Sequence, residues 1–476
     1  MNTRNSKLLW TSLAVVATAV MYYFGTALEP EPWLQLLMWV APLPVLLVAP
    51  RLRARSAFGA AALAWALGEL QVLWYFTNNL EMPIPLAIGW ALVTSAAFAG
   101  CVVLFRALVL RRRFWAAVVA APAAWVCAEY GMSLVAADDS GNWWSLAYTQ
   151  ANFIPVLQTV SIAGTAGLAF LLFAVPSGAA ALFAPGATRS SRALVGGTVA
   201  VLLAASLGYG FMRPTDDGEP LRAAALALPA SVDSLPIDSS EAKRLIDDYR
   251  DRIAELGDDN VSVVVLPEKT FKLTDADRGE YFGRWSKIAE KSETSVVVGM
   301  TLKDGGKFYN VAAWFPSDGS KPTVYRKNHL IGGVEDWITP GSDTTMAPGH
   351  DNWGMAICKD LDYVELAARY REAGATVMFV PALEFDVDGW SHSRVAITRG
   401  VEQGFSMIRT GQQGRMTISD QYGNVLADDK EAAVAAVGTN GAATFYARFG
   451  DWLVWLSIAI TAVGMVLALR RRTGEG

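Results

Sequence analysis

Three side chains of complementary chemistry each follow a short apolar run that predicts a β-strand. Cys358 ends one run and precedes a helical pattern, Glu268 follows a second run and a proline, and Lys327 follows a third. At a strand-to-helix turn a side chain projects from the sheet edge, and the next backbone N–H groups can face a developing oxyanion. The pattern therefore predicts a thiol presented at such a turn, with a carboxylate and an ammonium at two other strand ends.

These residue types suit acyl transfer. A carboxylate near a thiol can take its proton, an ammonium can stabilise the thiolate and the tetrahedral oxyanion, and cysteine can carry an acyl group as a thioester. Taken singly, an isolated cysteine is most often a buried structural residue, and Glu or Lys at a strand end is most often solvated. The three together, in this order along the chain, indicate a Glu-Lys-Cys catalytic site.

The polar segment around these residues, about 218–446, alternates β-branched runs with charged, helical stretches. Strands are predicted at 221–228, 261–266, 295–300, 310–315, 323–326, 354–357, 376–380, 406–410 and 415–419, and helices at 240–256 and 361–373. This alternation predicts an α/β or layered α+β domain with one core, long enough to fold independently.

The rest of the chain consists of apolar stretches long enough to cross a hydrocarbon core of ~30 Å. Spans are predicted at 8–26, 33–50, 57–77, 84–110, 115–134, 153–184, 193–212 and 452–469. The stretch 153–184 is too long for one span, and Pro176 and Gly178 are candidates for a break in it. We expect three regions: a seven-span domain at 1–214, the polar domain at 215–450, and the final helix with its tail at 451–476.

Two acidic residues, Glu69 and Glu129, fall within or near the ends of predicted spans. An ionisable group is costly in a membrane and is therefore often functional. The alternatives are a position at the outer interface or a pairing with a neighbouring helix.

The cations of the apolar part lie on alternate connections between spans. Those connections carry Arg4 and Lys7, then Arg51, Arg53 and Arg55, then Arg111, Arg112 and Arg113, then Arg189 and Arg192, and last Arg470, Arg471 and Arg472. The intervening connections, near Glu29 and Glu31, Glu81, and Asp138 and Asp139, carry none. The positive-inside rule then predicts that both termini are cytoplasmic and that the polar domain is extracytoplasmic. A cleaved signal peptide is the alternative for the first span.

Composition excludes two broad classes of protein. With 53% hydrophobic and 18% charged residues, the chain is too apolar to be wholly soluble. Residues 215–450 hold 25 Lys and Arg against 36 Asp and Glu, and without a basic stripe this domain has no electrostatic footprint for nucleic acid.

Two of the three cysteines lie in apolar stretches, so the polar domain can form no internal disulfide. His329, His350 and His392 lack metal-ligand spacing, and we expect neither a metal nor a cofactor.

Around the three strand ends, the sequence resembles the nitrilase superfamily of carbon-nitrogen hydrolases, whose triad is Glu, Lys and Cys. More closely, it resembles the apolipoprotein N-acyltransferases, the membrane-bound branch that carries such a domain before its last span. The segments that carry this likeness outside the triad are 128–130, 144–150, 164–171, 327–330 and 446–452. The resemblance implies a multi-span α-helical membrane domain of about eight transmembrane helices plus an extracytoplasmic αββα nitrilase-like sandwich.

The resemblance also implies a role for each matching residue. Glu268 becomes the general base, Lys327 the oxyanion stabiliser and Cys358 the nucleophile. Glu335 falls where the family has a second essential glutamate, and Asp360 where it has an acidic residue two positions after the nucleophile.

The chain departs from the family pattern around the expected substrate pocket. Lys359 stands where the family has an aromatic residue, 332–335 replaces a Pro-Phe-Gly-Glu run, and 381–390, which ends at Trp390, replaces an Asn-Asp-x-Trp-Phe segment. Lys359 and Trp390 therefore join Glu335 and Asp360 as candidate substrate-positioning residues. These departures affect which donor and which acceptor the pocket would bind more than they affect the catalytic chemistry.

The resemblance implies an acyltransferase of the bacterial cytoplasmic membrane that works through a thioester. The implied partners are a phospholipid acyl donor and the N-terminal diacylglyceryl-cysteine of a lipoprotein, with the enzyme expected to be a monomer. One alternative is a membrane-tethered carbon-nitrogen hydrolase or N-acyltransferase acting on another amine or amide. A second alternative is a non-catalytic membrane scaffold that retains the fold.

Overall fold

The computed structural model describes residues 3–31, 33–135, 141–213, 218–230 and 234–470. Asp138, Asp139, Arg471 and Arg472, and the expected boundary at 214 and 215, lie outside the described residues. The chain divides into two compact units. One comprises residues 1–134, 144–213 and 449–476, and the other comprises residues 135–143 and 214–448.

The first unit is helical. Its helices before the polar segment are α1 (Thr3–Gly25), α2 (Leu43–Val48), α3 (Ala54–Gly68), α4 (Leu70–Asn78), α5 (Ile84–Leu110), α6 (Phe114–Val135), α7 (Ile154–Leu157), α8 (Val160–Leu182) and α9 (Arg189–Met212). In the described residues, seven helical segments, including a last helix at Trp452–Leu469, are long and apolar enough to cross a membrane. The pair α3 and α4, bent by 46° at Glu69, makes an eighth if it is counted as one span.

The long predicted stretch at 153–184 is interrupted, but not at the expected place. The structure divides it into α7 and α8, and the non-helical backbone lies at Ala163 and Gly164, whose φ is 61°. Helix α8 continues through Pro176 and Gly178. A proline removes only one donor from a helix, and neighbouring helices can accommodate it, so Pro176 does not end the helix here.

Aromatic rings fill the core of the helical unit. Trp65 stacks on Phe98 with ring centroids 4.1 Å apart, and Trp125 stacks on Phe173 at 4.7 Å. Glu69 and Glu129 are both buried beside this core. Glu69 accepts a hydrogen bond from the Tyr22 hydroxyl at 2.9 Å, and Glu129 accepts bonds from the Ser145 hydroxyl at 3.1 Å and the Leu146 N–H at 3.2 Å. Both carboxyl groups are thus bonded to neighbouring segments of the unit.

The second unit contains two β-sheets. Its strands are β1 (Pro220–Leu226), β2 (Leu235–Pro236), β3 (Val263–Val265), β4 (Phe271–Leu273), β5 (Ser295–Asp304), β6 (Lys307–Phe315), β7 (Thr323–Arg326), β8 (Thr345–Met346), β9 (Trp353–Met355), β10 (Val377–Leu383), β11 (Ser406–Gln412), β12 (Met416–Ser419), β13 (Val425–Asp429) and β14 (Ala432–Gly438). The first sheet runs β14-β1-β3-β5-β4-β2 and also holds β6 and β7, and the second runs β13-β12-β11-β10-β9-β8.

Helices cover the outer faces of these sheets. They are α10 (Ser240–Asp258), α11 (Arg278–Lys291), α12 (Val364–Glu372), α13 (Gly389–Gln403) and α14 (Phe445–Phe449), and the chain ends in α15 (Trp452–Leu469). Alternation along β1 shows the layering, because Ala223 and Ala225 contribute to the core shared with the second sheet, whereas Ala224 packs in the core of α10 and α11. The domain is an αββα sandwich, as the sequence predicted.

Candidate active site

Glu268 lies in a gap between two strand fragments. Strands β3 and β4 both pair in parallel with β5, at Val263↔Ser295 and Phe271↔Met300, so they follow one another along the same edge. The ladder closes on each side of the gap, where the Leu266 N–H donates to the Val297 carbonyl at 2.8 Å and the Thr270 N–H donates to the Gly299 carbonyl at 3.0 Å. The Glu268 N–H itself donates to the Ala382 carbonyl of β10 at 3.3 Å. The interruption therefore moves Glu268 out of its own sheet and towards the opposite one.

The gap depends on a glycine in the neighbouring strand. A Cβ at Gly299 would lie 2.1 Å from the Pro267 carbonyl oxygen and 2.6 Å from the Glu268 Cα. Backbone atoms cannot yield as a side-chain tip can, so Gly299 is the residue that lets the Glu268 segment approach β5.

Lys327 follows β7 and is held against β6 by its N–H, which donates to the Asn310 carbonyl at 2.8 Å. Its ammonium is fully buried and donates to Glu268 Oε1 and Glu335 Oε2, each at 2.8 Å. Burial lowers the pKa of this ammonium, but the charges of Glu268 and Glu335 outweigh burial and raise the pKa well above its usual range. Lys327 therefore remains a fixed positive charge at neutral pH.

Asn310 is a part of this cluster that the sequence analysis did not single out. Its Nδ2 donates to Glu268 Oε1 at 2.6 Å and to Glu335 Oε1 at 2.7 Å, so one amide joins both carboxylates. The only signal in the sequence was a polar residue at the start of an otherwise apolar predicted strand. In the described residues, both hydrogen bonds to Glu268 reach Oε1, which leaves Oε2 for the proton of a nucleophile.

Glu335 is completely buried and surrounded by donors. Besides Lys327, the Lys269 ammonium lies 3.3 Å from Oε1, and the Ile331 N–H donates to Oε2 at 3.0 Å. Burial raises the pKa of this carboxyl, but the two lysines and the hydrogen bonds lower it to about 2. Glu335 therefore neutralises the lysines and orients Lys327, because a carboxyl with so low a pKa cannot hold a proton at neutral pH.

Cys358 lies just after β9, at the start of the 3₁₀ helix Cys358–Asp362. Its φ of 43° falls in the left-handed region, which a non-glycine residue adopts at a cost of about 1–3 kcal/mol, most often at functional sites. Its Sγ lies 3.7 Å from the Leu383 carbonyl oxygen. Burial and the charges of Glu268 and Glu384 raise the thiol pKa well above its usual range, although Lys327 and Arg409 act to lower it.

Asp360 connects the turn of Cys358 to the strand end of Lys327. Its Oδ2 accepts from the Ile357 N–H at 3.0 Å and from the Tyr325 hydroxyl at 2.7 Å. Its Oδ1 accepts from the N–H groups of Asn328 at 3.2 Å and His329 at 2.9 Å. Tyr325 lies in β7 of the first sheet and Ile357 lies two residues after β9 of the second, so one buried carboxylate connects the Cys358 turn to the end of the Lys327 strand. The hydrogen bonds of Asp360 thus position the Cys358 turn beside the end of the Lys327 strand.

The remaining predicted residues, Lys359 and Trp390, lie among other charged groups. Lys359 is buried, and its charge acts on the Asp362 carboxyl. Trp390 is nearly buried at the start of α13, with the Arg394 guanidinium 5.2 Å from its ring centroid. The geometry joins Glu268, Lys327 and Glu335 directly, and joins Asp360 to them through its clamp. Lys359 acts on Asp362 instead, and Trp390 lies against Arg394.

One group of residues has the composition of a metal site. Ligand atoms of Glu384, Asp388 and His392 lie within 4.8 Å of one another, a juxtaposition that the scattered histidines in the sequence did not reveal. These groups already have partners, because Arg409 donates to Glu384 and the His392 Nε2 lies 3.4 Å from Asp388. Asp388 raises the pKa of His392 to about 9 despite its burial. A protonated imidazole donates rather than ligates, so these residues fit an ion-pair network better than a cation site.

The arrangement can perform covalent catalysis by a neutral thiol. The thiol pKa is raised, so the attack requires a base that removes the proton as the bond forms. Glu268 has an unused carboxylate oxygen, and Lys327 supplies a fixed positive charge for the oxyanion.

Two family profiles match the chain. The one described as carbon-nitrogen hydrolase matches residues 237–442, and the one described as apolipoprotein N-acyltransferase N-terminal domain matches residues 19–178. An apolipoprotein N-acyltransferase of Geobacter metallireducens is 25% identical over 93% of this chain and 93% of its own. One of Thermotoga maritima is 23% identical over 67% of this chain and 65% of its own. A deaminated glutathione amidase of Rattus norvegicus is 28% identical over 38% of this chain and 62% of its own.

Proposed function

The chain belongs to the apolipoprotein N-acyltransferases, the membrane-bound branch of the carbon-nitrogen hydrolases, and we propose that it acylates lipoproteins through a thioester on Cys358. The acyl donor is a phospholipid, and the acceptor is the N-terminal amine of a diacylglyceryl-cysteine. The observation that carries this proposal is the buried cluster in which Lys327 binds Glu268 at 2.8 Å while both charges act on the Cys358 thiol.

In the first half-reaction the Cys358 thiol attacks the ester carbonyl of the phospholipid. Glu268 takes the thiol proton as the S–C bond forms, and Lys327 stabilises the oxyanion. Collapse of the tetrahedral intermediate breaks the C–O bond, and Glu268 returns the proton to the departing lysophospholipid. The products are an acyl-cysteine thioester and a lysophospholipid.

In the second half-reaction the lipoprotein amine attacks the thioester. An N–C bond forms, the C–S bond breaks, and Glu268 takes a proton from the nitrogen and delivers it to the leaving thiolate. Glu335, Asn310 and Asp360 act through Glu268, Lys327 and the Cys358 turn, so we propose that they are positioning residues.

The family and the apolar helices support a location in the bacterial inner membrane. We further propose that both termini are cytoplasmic, that the catalytic domain is extracytoplasmic, and that the enzyme acts as a monomer. The alternation of cationic and cation-free connections supports the orientation. Two membrane-embedded substrates would explain why such a domain is attached to a multi-span unit.

Mass spectrometry of the purified protein after incubation with phospholipid tests the proposal. We expect an acyl adduct on the peptide that contains Cys358, and its transfer to the α-amine of an added diacylglyceryl-cysteine peptide. Cys358→Ala should abolish both, whereas the matched variant Cys127→Ala should retain both. Absence of any adduct on the wild-type protein would overturn the proposal. An adduct that yields only free fatty acid would favour the hydrolase alternative.

A further inference from the structure

A second buried ion pair lies beside the thiol and has no part in the mechanism above. Glu384 follows Leu383, whose carbonyl oxygen is 3.7 Å from Cys358 Sγ, and Arg409 comes from the adjacent strand β11. Arg409 Nη2 donates to Glu384 Oε1, and the two side chains are 2% and 1% exposed. The charges of both residues act on the thiol. The pair therefore lies close to the proposed reacting atom, between the end of β10 and the adjacent strand β11.

The pair has hydrogen-bonding capacity that the described residues do not use. Among the described residues only Arg409 donates a hydrogen bond to the Glu384 carboxylate, at Oε1. The protonated His392 acts on this carboxylate from within 4.8 Å, and Oε2 accepts no hydrogen bond from the described residues. Arg409 Nη1 is buried and has no partner in the part of the chain that the structure describes. A buried polar group without a partner costs roughly 1–3 kcal/mol. An open acceptor next to an open donor suggests a ligand that supplies one group of each kind.

We propose, on the basis of the proposed function, that Glu384 and Arg409 bind the N-terminal aminoacyl unit of the acceptor. The α-ammonium group donates to Glu384 Oε2, and the carbonyl oxygen of the same residue accepts from Arg409 Nη1. Both groups of the ligand belong to one amino acid, just as the two groups that receive them belong to one ion pair.

The position of the pair favours the acceptor over the donor headgroup. An attacking nitrogen must come within about 3–3.5 Å of the thioester carbon, so a group that binds the amine must lie beside the sulfur. The ammonium of an ethanolamine phospholipid offers the same chemistry, but a whole glycerophosphate segment separates it from the ester carbonyl. A headgroup site is therefore expected farther from the thiol.

Proton balance in this step is simple. The bound ammonium releases one proton to solvent, the amine attacks, Glu268 transfers the second proton to sulfur, and an amide and a free thiol result. Glu384 and Arg409 orient the nitrogen and form no covalent bond. They are positioning residues for the acceptor, so their loss should raise the acceptor concentration that is required and leave the preference between phospholipid donors unchanged.

Two half-reactions measured separately on the full-length enzyme test the inference. In Glu384→Gln we expect phosphatidylethanolamine and phosphatidylglycerol to form the thioester in the wild-type ratio, and the thioester itself shows that the variant is folded. The overall rate of thioester formation changes, because the Glu384 charge acts on the thiol. We expect the diacylglyceryl-cysteine peptide concentration for half-maximal thioester breakdown to rise at least tenfold, equivalent to about 1.4 kcal/mol. Glu384→Asp should recover much of this loss because it restores the charge.

The control is Glu402→Gln, which removes a buried carboxylate that is also paired with an arginine, Arg399. It should leave the acceptor requirement unchanged. An unchanged acceptor requirement in Glu384→Gln would overturn the inference, as would a selective loss of thioester formation with phosphatidylethanolamine, which would assign the pair to the donor headgroup. Absence of a thioester in the wild-type protein is a different result, because it overturns the proposed function itself.

Discussion

At the scale of single residues, the candidate active site consists of buried charges of opposite sign that balance one another. Glu268 and Glu335 face Lys327 and Lys269, and the amide of Asn310 joins the two carboxylates. A buried charge is tolerated only when it is paired and hydrogen-bonded, and removal of one partner leaves the other uncompensated. The cluster therefore contributes to folding as well as to the proposed catalysis.

Glu335 offers a prediction about acid stability. Its pKa is lowered to about 2 in the folded protein. The free energy of unfolding that its charge contributes is therefore fully present above the ordinary pKa near 4.5 and is lost as the pH falls through about 2. Glu335→Gln should lower the thermal midpoint at pH 7 by an amount that corresponds to about 3–5 kcal/mol. The difference from wild type should shrink between pH 5 and pH 2. Thermal unfolding in detergent at several pH values measures this.

The exposed Glu365, at the start of α12, supplies the control for this experiment. Glu365→Gln should follow the wild-type curve. A constant difference between Glu335→Gln and wild type across the whole pH range would contradict the assigned pairing.

At the scale of elements, the site depends on an interrupted strand. Strands β3 and β4 share one edge of β5, and the gap between them carries Glu268 towards the opposite sheet. An uninterrupted strand would place alternate side chains on opposite faces of its own sheet. The gap instead lets a carboxylate lie between the sheets, where Lys327 reaches it.

Gly299→Ala tests the importance of this gap. The new Cβ would meet the backbone of Pro267 and Glu268, so the variant should lose about 1–3 kcal/mol of stability. Thioester formation should fall more than tenfold, because Glu268 moves. Gly283→Ala is the matched control: its Cβ would meet nothing within 4 Å, and alanine favours the helix α11. Equal thioester yields from the two variants would contradict the argument.

The sequence predicted the long elements well because their patterns are local. Helix α10 was predicted at 240–256 and is found at Ser240–Asp258, and the strand predicted at 323–326 is β7. The fragments β2, β4 and β8 have two or three residues each and carry no periodicity that could be read. Strands β13 and β14 and helices α11 and α13 were also missed, and α13 is almost wholly buried, so its helical periodicity is weak.

The three candidate catalytic residues could be singled out from strand ends, but the contacts that surround them could not. Strand order decides which polar residues meet, and no spacing in the sequence shows that Asn310 lies between two carboxylates from other segments. The Glu384 and Arg409 pair joins two strands in the same way. Asp360 was predicted from the family, whereas its contact with Tyr325 follows only from the packing of the two sheets.

At the scale of the whole molecule, a very apolar helical unit is joined to an acidic domain. The eight predicted spans coincide with the apolar helices if α3 and α4 form one span. The cationic connections then define one side of the membrane, and the cation-free connections define the other.

Cysteine labelling in intact cells tests the proposed orientation. Glu29→Cys places an exposed thiol on a cation-free connection, and Arg53→Cys places one on a cationic connection. A membrane-impermeant maleimide should label the first from outside and label the second only after permeabilisation. The wild-type protein is the background control, since Cys101 and Cys358 are buried and Cys127 is partly buried. Labelling of Arg53→Cys in intact cells would contradict the proposed orientation and indicate the opposite one.

The clamp formed by Asp360 has a consequence for hydrogen exchange. The amides of Asn328, His329 and Ile357 all donate to this carboxylate, although Ile357 follows a strand of the other sheet. If the carboxylate is released only when the sheets separate, the three amide protons will exchange with deuterium at a common rate that reports this opening. Amides from two distant parts of the sequence would then measure how often the sandwich opens beside Cys358.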